Sequence, residues 1–169
     1  MAAADACEAL GLQARIKWPN DVLLNGRKVA GVLVESRWGG DELQASVIGV
    51  GMNVLVASAP RDEEVLHPAT SLEDGLGTKP DREKVLRLTV EGFLSWLPEL
   101  PGGAFLQAWE ERLAYRHQSV RMVQEGMEEI TGTLEGLEDD GSLRVRGDRG
   151  ILRIRVGEIH LYPASDKMG

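Results

Sequence analysis

The stretch Lys17-Trp18-Pro19-Asn20-Asp21-Val22-Leu23-Leu24-Asn25-Gly26-Arg27-Lys28-Val29-Ala30-Gly31 decides how this chain is read. Gln13 to Trp18 alternates, with Ala14 and Ile16 on one side and Arg15 and Lys17 on the other, the period of a half-buried strand. Pro19 removes a donor and holds Trp18 extended, so the strand stops at the Trp-Pro corner. Val22 to Leu24 reads as a short strand, and Asn25-Gly26 signals a hairpin, because both central positions of a type I′ turn need positive φ. Val29 to Ser36 returns, with Gly31 placed where a backbone or a ligand can approach closely. Gly39-Gly40-Asp41 turns the chain again, and Leu43 to Val50 makes a further strand that closes on Gly49-Val50-Gly51-Met52-Asn53. Three consecutive antiparallel strands follow. A cation, two short polar side chains and a glycine-relieved backbone gathered by a small sheet suit an anionic, nucleotide-like ligand.

Outward from this stretch, Ala2 to Leu10 is rich in helix formers and Gly11 stands as its C-terminal cap. Leu55 to Pro80 shows neither helical nor strand period and carries the charged run Arg61-Asp62-Glu63-Glu64; such segments in compact domains tend to be functional flaps or disordered. From Asp81, Leu86, Val90, Phe93, Leu94 and Leu97 recur at helical spacing until Pro98 and Pro101-Gly102-Gly103 stop them. A second helix carries Leu106, Trp109 and Leu113 on one face. After Tyr115 the composition shifts. Ser119 to Val123, Glu129 to Leu137, Ser142 to Arg146, Ile151 to Val156 and Glu158 to Tyr162 read as short strands, with turns at Asp140-Gly141 and Gly147 to Gly150. In Ile151 to Val156 apolar and arginine positions alternate, which predicts one buried and one wet face. Strands this short and closely spaced predict a small barrel that closes its own edges. The expected class is α+β: residues 1–115 as a sheet with helices, and residues 116–169 as the small barrel.

Length and charge narrow the function. The 169 residues hold one good core, or a modest core and a small appendage. A net charge of −8 argues against a general nucleic-acid or anionic-membrane binder, since both rely on a positive field. No apolar run is long enough to span a bilayer. Cys7, the single cysteine, makes no internal disulfide, which places the chain in a reducing cytoplasm; on an alanine-rich helix it reads as a packing residue rather than a nucleophile.

Lys17 is the chief candidate for chemistry. A strand lysine is most often solvated, but this one precedes a rigid corner and the directed polar groups of Asn20 and Asp21. An ammonium held there can neutralise charge growing on a phosphoryl or carboxyl oxygen. Arg27 and Lys28 read either as turn cations in water or, for Lys28, as a second charge facing the same anion, with Gly31 letting the ligand lie against the strand. Gly49, Gly51 and Asn53 lack the third glycine of a dinucleotide fingerprint; they let the strand bend or a base approach, with Asn53 reading a polar edge. His67, His117 and His160 are scattered, and no paired-cysteine or HxxxH spacing points to structural zinc. Asp139-Asp140 and Glu128-Glu129 read as turn and surface acids.

Lys17-Trp18-Pro19-Asn20-Asp21, Arg27-Lys28-Val29-Ala30-Gly31-Val32-Leu33-Val34-Glu35 and Ile48-Gly49-Val50-Gly51-Met52-Asn53-Val54, in that order, resemble the biotin–protein ligase family. The resemblance covers the catalytic domain from its middle onward, and Ala69-Thr70-Ser71-Leu72, the two helices and the small barrel fit the same layout. It implies a class II synthetase-like catalytic domain, here truncated, followed by an SH3-like barrel. It also implies ATP-dependent formation of biotinyl-5′-AMP, with Mg²⁺, and transfer of biotin to a lysine of a carboxylase carrier domain. In that likeness Lys17 contacts the biotin carboxyl and the phosphate, and Asn53 contacts the adenine. Asn20 and Asp21 shape the pocket, Lys28 adds positive potential, Gly31 lines the biotin or adenylate floor, Gly49 and Gly51 are among the binding residues, and Leu55 to Thr70 orders over the adenylate. The family's Ser-Thr-Asn biotin contact, a glutamine and its Gly-Arg-Gly-Arg loop do not precede Met1 here, and neither does a DNA-binding winged helix. The expectation is therefore a ligase by lineage, as a truncation or a degenerate relative, with weak or no turnover alone and no DNA binding, and with a homodimer among the assemblies the sheet edge allows. The competing readings are a carrier-binding module that does not adenylate and a fragment without function.

Overall fold

A computed structural model of the chain describes residues 1–60, 68–100, 102–124, 129–155 and 159–163. The charged run Arg61 to Glu64, His67 and Glu128 lie outside the described residues. The architecture is α+β with two sheets, and the chain divides into two compact units: Met1–Ile16 with Asn20–Leu97, and Lys17–Pro19 with Pro98–Gly169.

The first unit is built on a four-stranded sheet of order β1-β2-β3-β4, comprising β1 (Ala14–Lys17), β2 (Asp21–Leu24), β3 (Arg27–Gly39) and β4 (Glu42–Met52). Asn25 and Gly26 take φ of 50° and 78°, the pair of positive values that makes the tight β2–β3 turn, so the hairpin expectation holds. Both β2–β3 and β3–β4 are antiparallel. Helix α1 (Ala2–Ala9) buries Ala3, Ala4, Ala6 and Cys7, small side chains that admit a close neighbour. That neighbour is α3 (Arg82–Trp96): a Cβ on Gly92 would stand 3.3 Å from the backbone of Ala2, and the Trp96 indole N–H donates to Asp5 Oδ2 at 2.5 Å. Asp81 caps α3 by accepting from the N–H groups of Glu83 and Lys84, two of the donors a helix start leaves unsatisfied. Ile16, Val22, Leu23, Leu24, Val29, Ala30 and Leu72 complete the core of this unit.

The region expected to lack period contains a short helix, α2 (Leu72–Leu76). The Ser71 hydroxyl accepts from the Asp74 N–H at its start, and Gly77 at φ 67° ends it. One turn is too short to show periodicity, and its local signal was the capping serine and the glycine.

The second unit holds α4 (Gly103–Arg112) and a five-stranded antiparallel sheet. The strands are β5 (Ser119–Gln124), β6 (Ile130–Leu137), β7 (Leu143–Gly147), β8 (Gly150–Ile154) and β9 (Ile159–Pro163), ordered β8-β7-β6-β5-β9. All five strands fall where the sequence placed them. Trp18, Leu113, Val120, Met122, Leu134, Leu137, Leu143, Val145 and Ile154 form its core. Glu110 of α4 ties the helix to the sheet, pairing with Arg116 and accepting from the Leu137 N–H at 3.0 Å. The expected buried face of Ile151 to Val156 is corrected at one position: Ile154 is buried but Leu152 is 38% exposed, while Ile151 is exposed on the arginine face as expected and Val156 lies outside the described residues. β8 ends the sheet and has a strand neighbour on one side only, so alternation along it is not matched by cover.

A glycine-floored cleft on the four-stranded sheet

β3 and β4 bring their glycines into one patch. Gly31 pairs directly with Gly51, and Leu33 with Gly49. Since side chains alternate between the faces of a strand, these four positions share one face, and three of them have no side chain. A Cβ on Gly49 or Gly51 would meet nothing nearer than a carbonyl oxygen at 3.8 or 3.9 Å, so the absence of side chains leaves open surface and not a tight backbone contact. The patch floors a cleft of about 460 Å³ that Asn20, Asp21 and Lys28 also line.

A β-bulge aims Lys28 at this cleft. Between β2 and β3 the register steps from Val22↔Ala30 to Leu23↔Lys28, which leaves Val29 as an extra residue. Strict alternation would send Lys28 and Gly31 to opposite faces; the extra residue reverses the parity and puts them on the same one. A Cβ built on Gly31 accordingly stands 3.2 Å from Lys28 Nζ and 3.4 Å from Asp21 Oδ1. Lys28 Nζ meets Asp21 Oδ1 at 2.5 Å, and with the lysine side chain 41% exposed the pair stands at the rim in water's reach. The charge of Lys28 is thus offset by a neighbour, and the cleft wall is an ion pair. The Asn20 side-chain amide donates to the Val32 carbonyl at 2.8 Å, while the Val32 N–H donates to the Asn20 carbonyl at 2.9 Å, fixing Asn20 against β3.

Behind the cleft, Pro68 to Leu72 is strung onto the sheet. The Lys28 N–H donates to the Pro68 carbonyl, the Thr70 N–H donates to the Lys28 carbonyl, and the Arg27 Nε–H donates to the Ala69 carbonyl, each at 2.9 to 3.0 Å. Asn53, at the end of β4, donates its backbone N–H to the Val29 carbonyl and its side-chain amide to the Thr70 carbonyl. Its own carbonyl accepts from the Leu72 N–H. Asn53 is therefore a joint between β3, β4 and the start of α2.

Of the residues singled out from sequence, Asn20, Asp21, Lys28, Gly31, Gly49 and Gly51 line one cleft. Asn53 is fixed to the same sheet as just described. Lys17 is 6% exposed and belongs with Trp18 and Pro19 to the second unit. Two features escaped sequence reasoning: the bulge at Val29, which no local pattern announces, and the burial of Trp18 at 2% exposed within the core of the second unit. Cys7 is buried, and burial pushes its thiol up to about 12, as a packing residue requires. Among the described residues no group of three or more His, Cys, Asp or Glu side chains is placed to hold a metal ion.

Comparison with known proteins gives one family throughout. Residues 1–53 match the biotin/lipoate A/B protein ligase family, and residues 118–162 match the biotin protein ligase C terminal domain. The chain is 36% identical over 162 residues to a biotin--[acetyl-CoA-carboxylase] ligase of Paracoccus denitrificans, covering 90% of this chain and 67% of that protein. It is 30% identical to the bifunctional ligase/repressor BirA of Bacillus subtilis, covering 91% of this chain and 48% of the relative. A crystal structure of biotin protein ligase from Aquifex aeolicus superposes with a TM-score of 0.79 at 29% identity, over 96% of this chain and 71% of that one. The same Aquifex protein in complex with biotin and ATP gives a TM-score of 0.73 at 30% identity, over 96% and 68%.

Proposed function

The chain belongs to the biotin–protein ligase family, and from that membership we propose that it serves ATP-dependent formation of biotinyl-5′-AMP and transfer of biotin to a lysine of a carboxylase carrier domain. The chain spans about half to two thirds of the relatives named above, so activity, acceptor and assembly are all part of this proposal. In the first step a carboxylate oxygen of biotin attacks the α-phosphorus of ATP, and the bond to pyrophosphate breaks as that group leaves with the electron pair. In the second the neutral ε-amine of the carrier lysine attacks the acyl carbon, AMP departs, and the nitrogen loses a proton.

The observation that carries this reading is the glycine floor, where Gly31 faces Gly51 across the strands beside Gly49. A flat surface without side chains accepts the length of an acyl-adenylate, and the Asp21–Lys28 pair and Asn20 supply polar edges. Lys17 provides the ammonium that stabilises charge on the phosphoryl oxygens, the largest contribution in many such reactions. Asn53 reads the adenine with its amide oxygen, its amide nitrogen being engaged by Thr70. Mg²⁺ offsets the charge of the triphosphate when bound. It characteristically keeps several waters and needs only one or two carboxylates beside the phosphates, and Asp21 is the carboxylate at this cleft.

Further parts of the reading rest on the edges and the thiol. β4 is an edge strand of 11 residues with one charged residue, Glu42, and such an edge pairs readily with a second copy of the chain to make a homodimer. No helix among the described residues is long and apolar enough to cross a membrane, and a single buried thiol suits the cytoplasm. The repressor half of the BirA name stays with those proteins, and DNA is not among the proposed partners.

The experiment is calorimetric titration of the chain with a stable phosphate analogue of biotinyl-AMP, alongside pyrophosphate release with biotin, ATP and a carrier domain. Saturable binding that Lys17→Ala weakens about ten- to a hundredfold, the range of a lost hydrogen bond to a charged group, is the expected result. Carrier binding without any affinity for the analogue would instead establish a docking module.

A further inference from the structure

We infer that Trp18 is a positioning residue for Lys17, and that the five-stranded unit, through this indole, sets where the ammonium stands. The inference rests on the ligase reading, since it takes Lys17 as the group that meets the phosphate. Its structural basis lies within the second unit alone. The chain leaves the first unit after Ile16 and re-enters it at Asn20; the three residues between are grouped with the sheet that begins more than a hundred residues later. Trp18 is not an exposed corner. It is 2% exposed and packs in one cluster with Leu113, Val120, Met122 and Leu134.

Packing fixes depth, and a hydrogen bond fixes rotation. The Trp18 indole N–H donates to the Gly141 carbonyl at 2.9 Å. That acceptor is itself immobilised by the β6–β7 turn. The Gly141 N–H donates to the Glu138 carbonyl, the Glu138 N–H donates to the Ser142 carbonyl, and the Ser142 N–H donates to Asp140 Oδ1, all between 2.8 and 3.0 Å. Gly141 holds φ at 78°, a conformation favouring glycine, and the Trp109 ring lies 3.6 Å from where its Cβ would be. A rigid turn thus offers one carbonyl at one angle, and a two-torsion side chain locked to it leaves its own backbone little freedom. Lys17 is the next residue along that backbone, buried at 6% exposed. A group that stabilises charge must be held close to its productive place, and residues locked by packing and a further hydrogen bond are what hold it. In sequence terms, the tryptophan between a lysine and a proline is read as the key by which a turn more than a hundred residues later holds the backbone next to the lysine.

The test measures the preference of the full chain for AMP over adenosine by calorimetry. The two ligands differ only in the phosphate, so the ratio of affinities reads the ammonium and little else. The unaltered chain is expected to prefer AMP, and Lys17→Met to abolish the preference. Trp18→Phe, which keeps an apolar ring but loses the N–H, is expected to cut the ratio about three- to tenfold with adenosine affinity unchanged. Leu134→Val, a core change in the same cluster, is expected to lower the unfolding temperature while leaving the ratio intact, the behaviour a merely structural role would give Trp18→Phe as well. A Trp18→Phe protein that is folded and keeps the full ratio overturns the inference while leaving the ligase reading standing. An unaltered chain with no preference for AMP overturns the ligase reading and this inference with it. Should Trp18→Phe fail to fold, the indole ¹⁵N–¹H resonance of Trp18 in the unaltered chain decides: a shift on adding AMP but not adenosine supports the inference, and equal response to both refutes it.

Discussion

Adding a single methyl group at Gly51 separates folding from binding in this protein. A Cβ there would meet nothing nearer than the Gly31 carbonyl oxygen at 3.9 Å, ordinary van der Waals distance, and Gly51 is not among the glycines with positive φ. Gly51→Ala should therefore stabilise the fold by about 0.4–1 kcal/mol, because alanine restricts the unfolded chain more than glycine does. With a urea slope of about 1–3 kcal/mol per molar, the unfolding midpoint rises by a few tenths of a molar. The same methyl stands about 1.5 Å above a floor on which the adenylate is proposed to lie. Lifting a flat ligand by even 0.5–1 Å forfeits roughly a quarter to a half of each atom pair's attraction of about 0.1–0.2 kcal/mol. Over roughly twenty such pairs the loss is about 1–1.5 kcal/mol, or about tenfold in affinity. The assay pairs urea denaturation with titration of the stable biotinyl-adenylate analogue, on Gly51→Ala and on Gly49→Ala. A variant that unfolds earlier than the parent, or one that binds the analogue as well as the parent, would refute the proposal that these glycines are kept bare for a ligand.

Two further perturbations test the second unit. The hydroxyl of Ser142, then its backbone N–H, then Arg155, hold the Asp140 carboxyl below its ordinary value of 3.8. A depressed folded value means that its stabilising contribution is present above about pH 3.8 and is lost as pH falls through the lower, folded value. Ser142→Ala should move the Asp140 titration, followed by carboxyl ¹³C NMR, upward toward 3.8, and should flatten the fall in stability as pH drops below that value. At Gly136 a Cβ would stand 2.7 Å from the Glu110 carboxylate, which accepts from the Leu137 N–H and pairs with Arg116. Gly136→Ala should displace that carboxylate and cost about 1–2 kcal/mol in denaturant unfolding, and much of the cost should vanish when Glu110→Ala is already present.

The parts of the fold legible in the sequence are those written locally. Asn25-Gly26 announces its turn because few residues accept positive φ, Asp81 announces the start of α3 because it caps free N–H groups, and the short strands of the second unit announce themselves between glycine turns. The glycine floor was legible in part: Gly31, Gly49 and Gly51 stand out in sequence, yet only the register shows Gly31 facing Gly51. The aim of Lys28, one of two readings its sequence allowed, was not legible in the strand period. Counting positions along β3 places it on the wrong face, and the extra residue at Val29 that corrects this depends on pairing with β2. Burial likewise departed from the period at Leu152, where a regular alternation runs along a strand with a neighbour on one side.

Trp18 is the residue whose surroundings lie furthest from its place in the sequence. Read locally, it belongs to a short polar motif, and its size invites explanation as a stiff corner before Pro19. Its indole is instead answered by a carbonyl 123 positions away, in a turn whose own signal, Asp140-Gly141, says only that the chain reverses there. Neither half of that contact predicts the other, because no local propensity joins an aromatic ring to a distant glycine carbonyl. What the sequence does contain is an inconsistency: a large apolar ring placed among Lys17, Asn20 and Asp21, where a solvated loop has no use for one. A residue that local chemistry leaves unexplained is the one whose explanation is long-range, and here both ends of that range lie within the second compact unit, 123 positions apart in sequence.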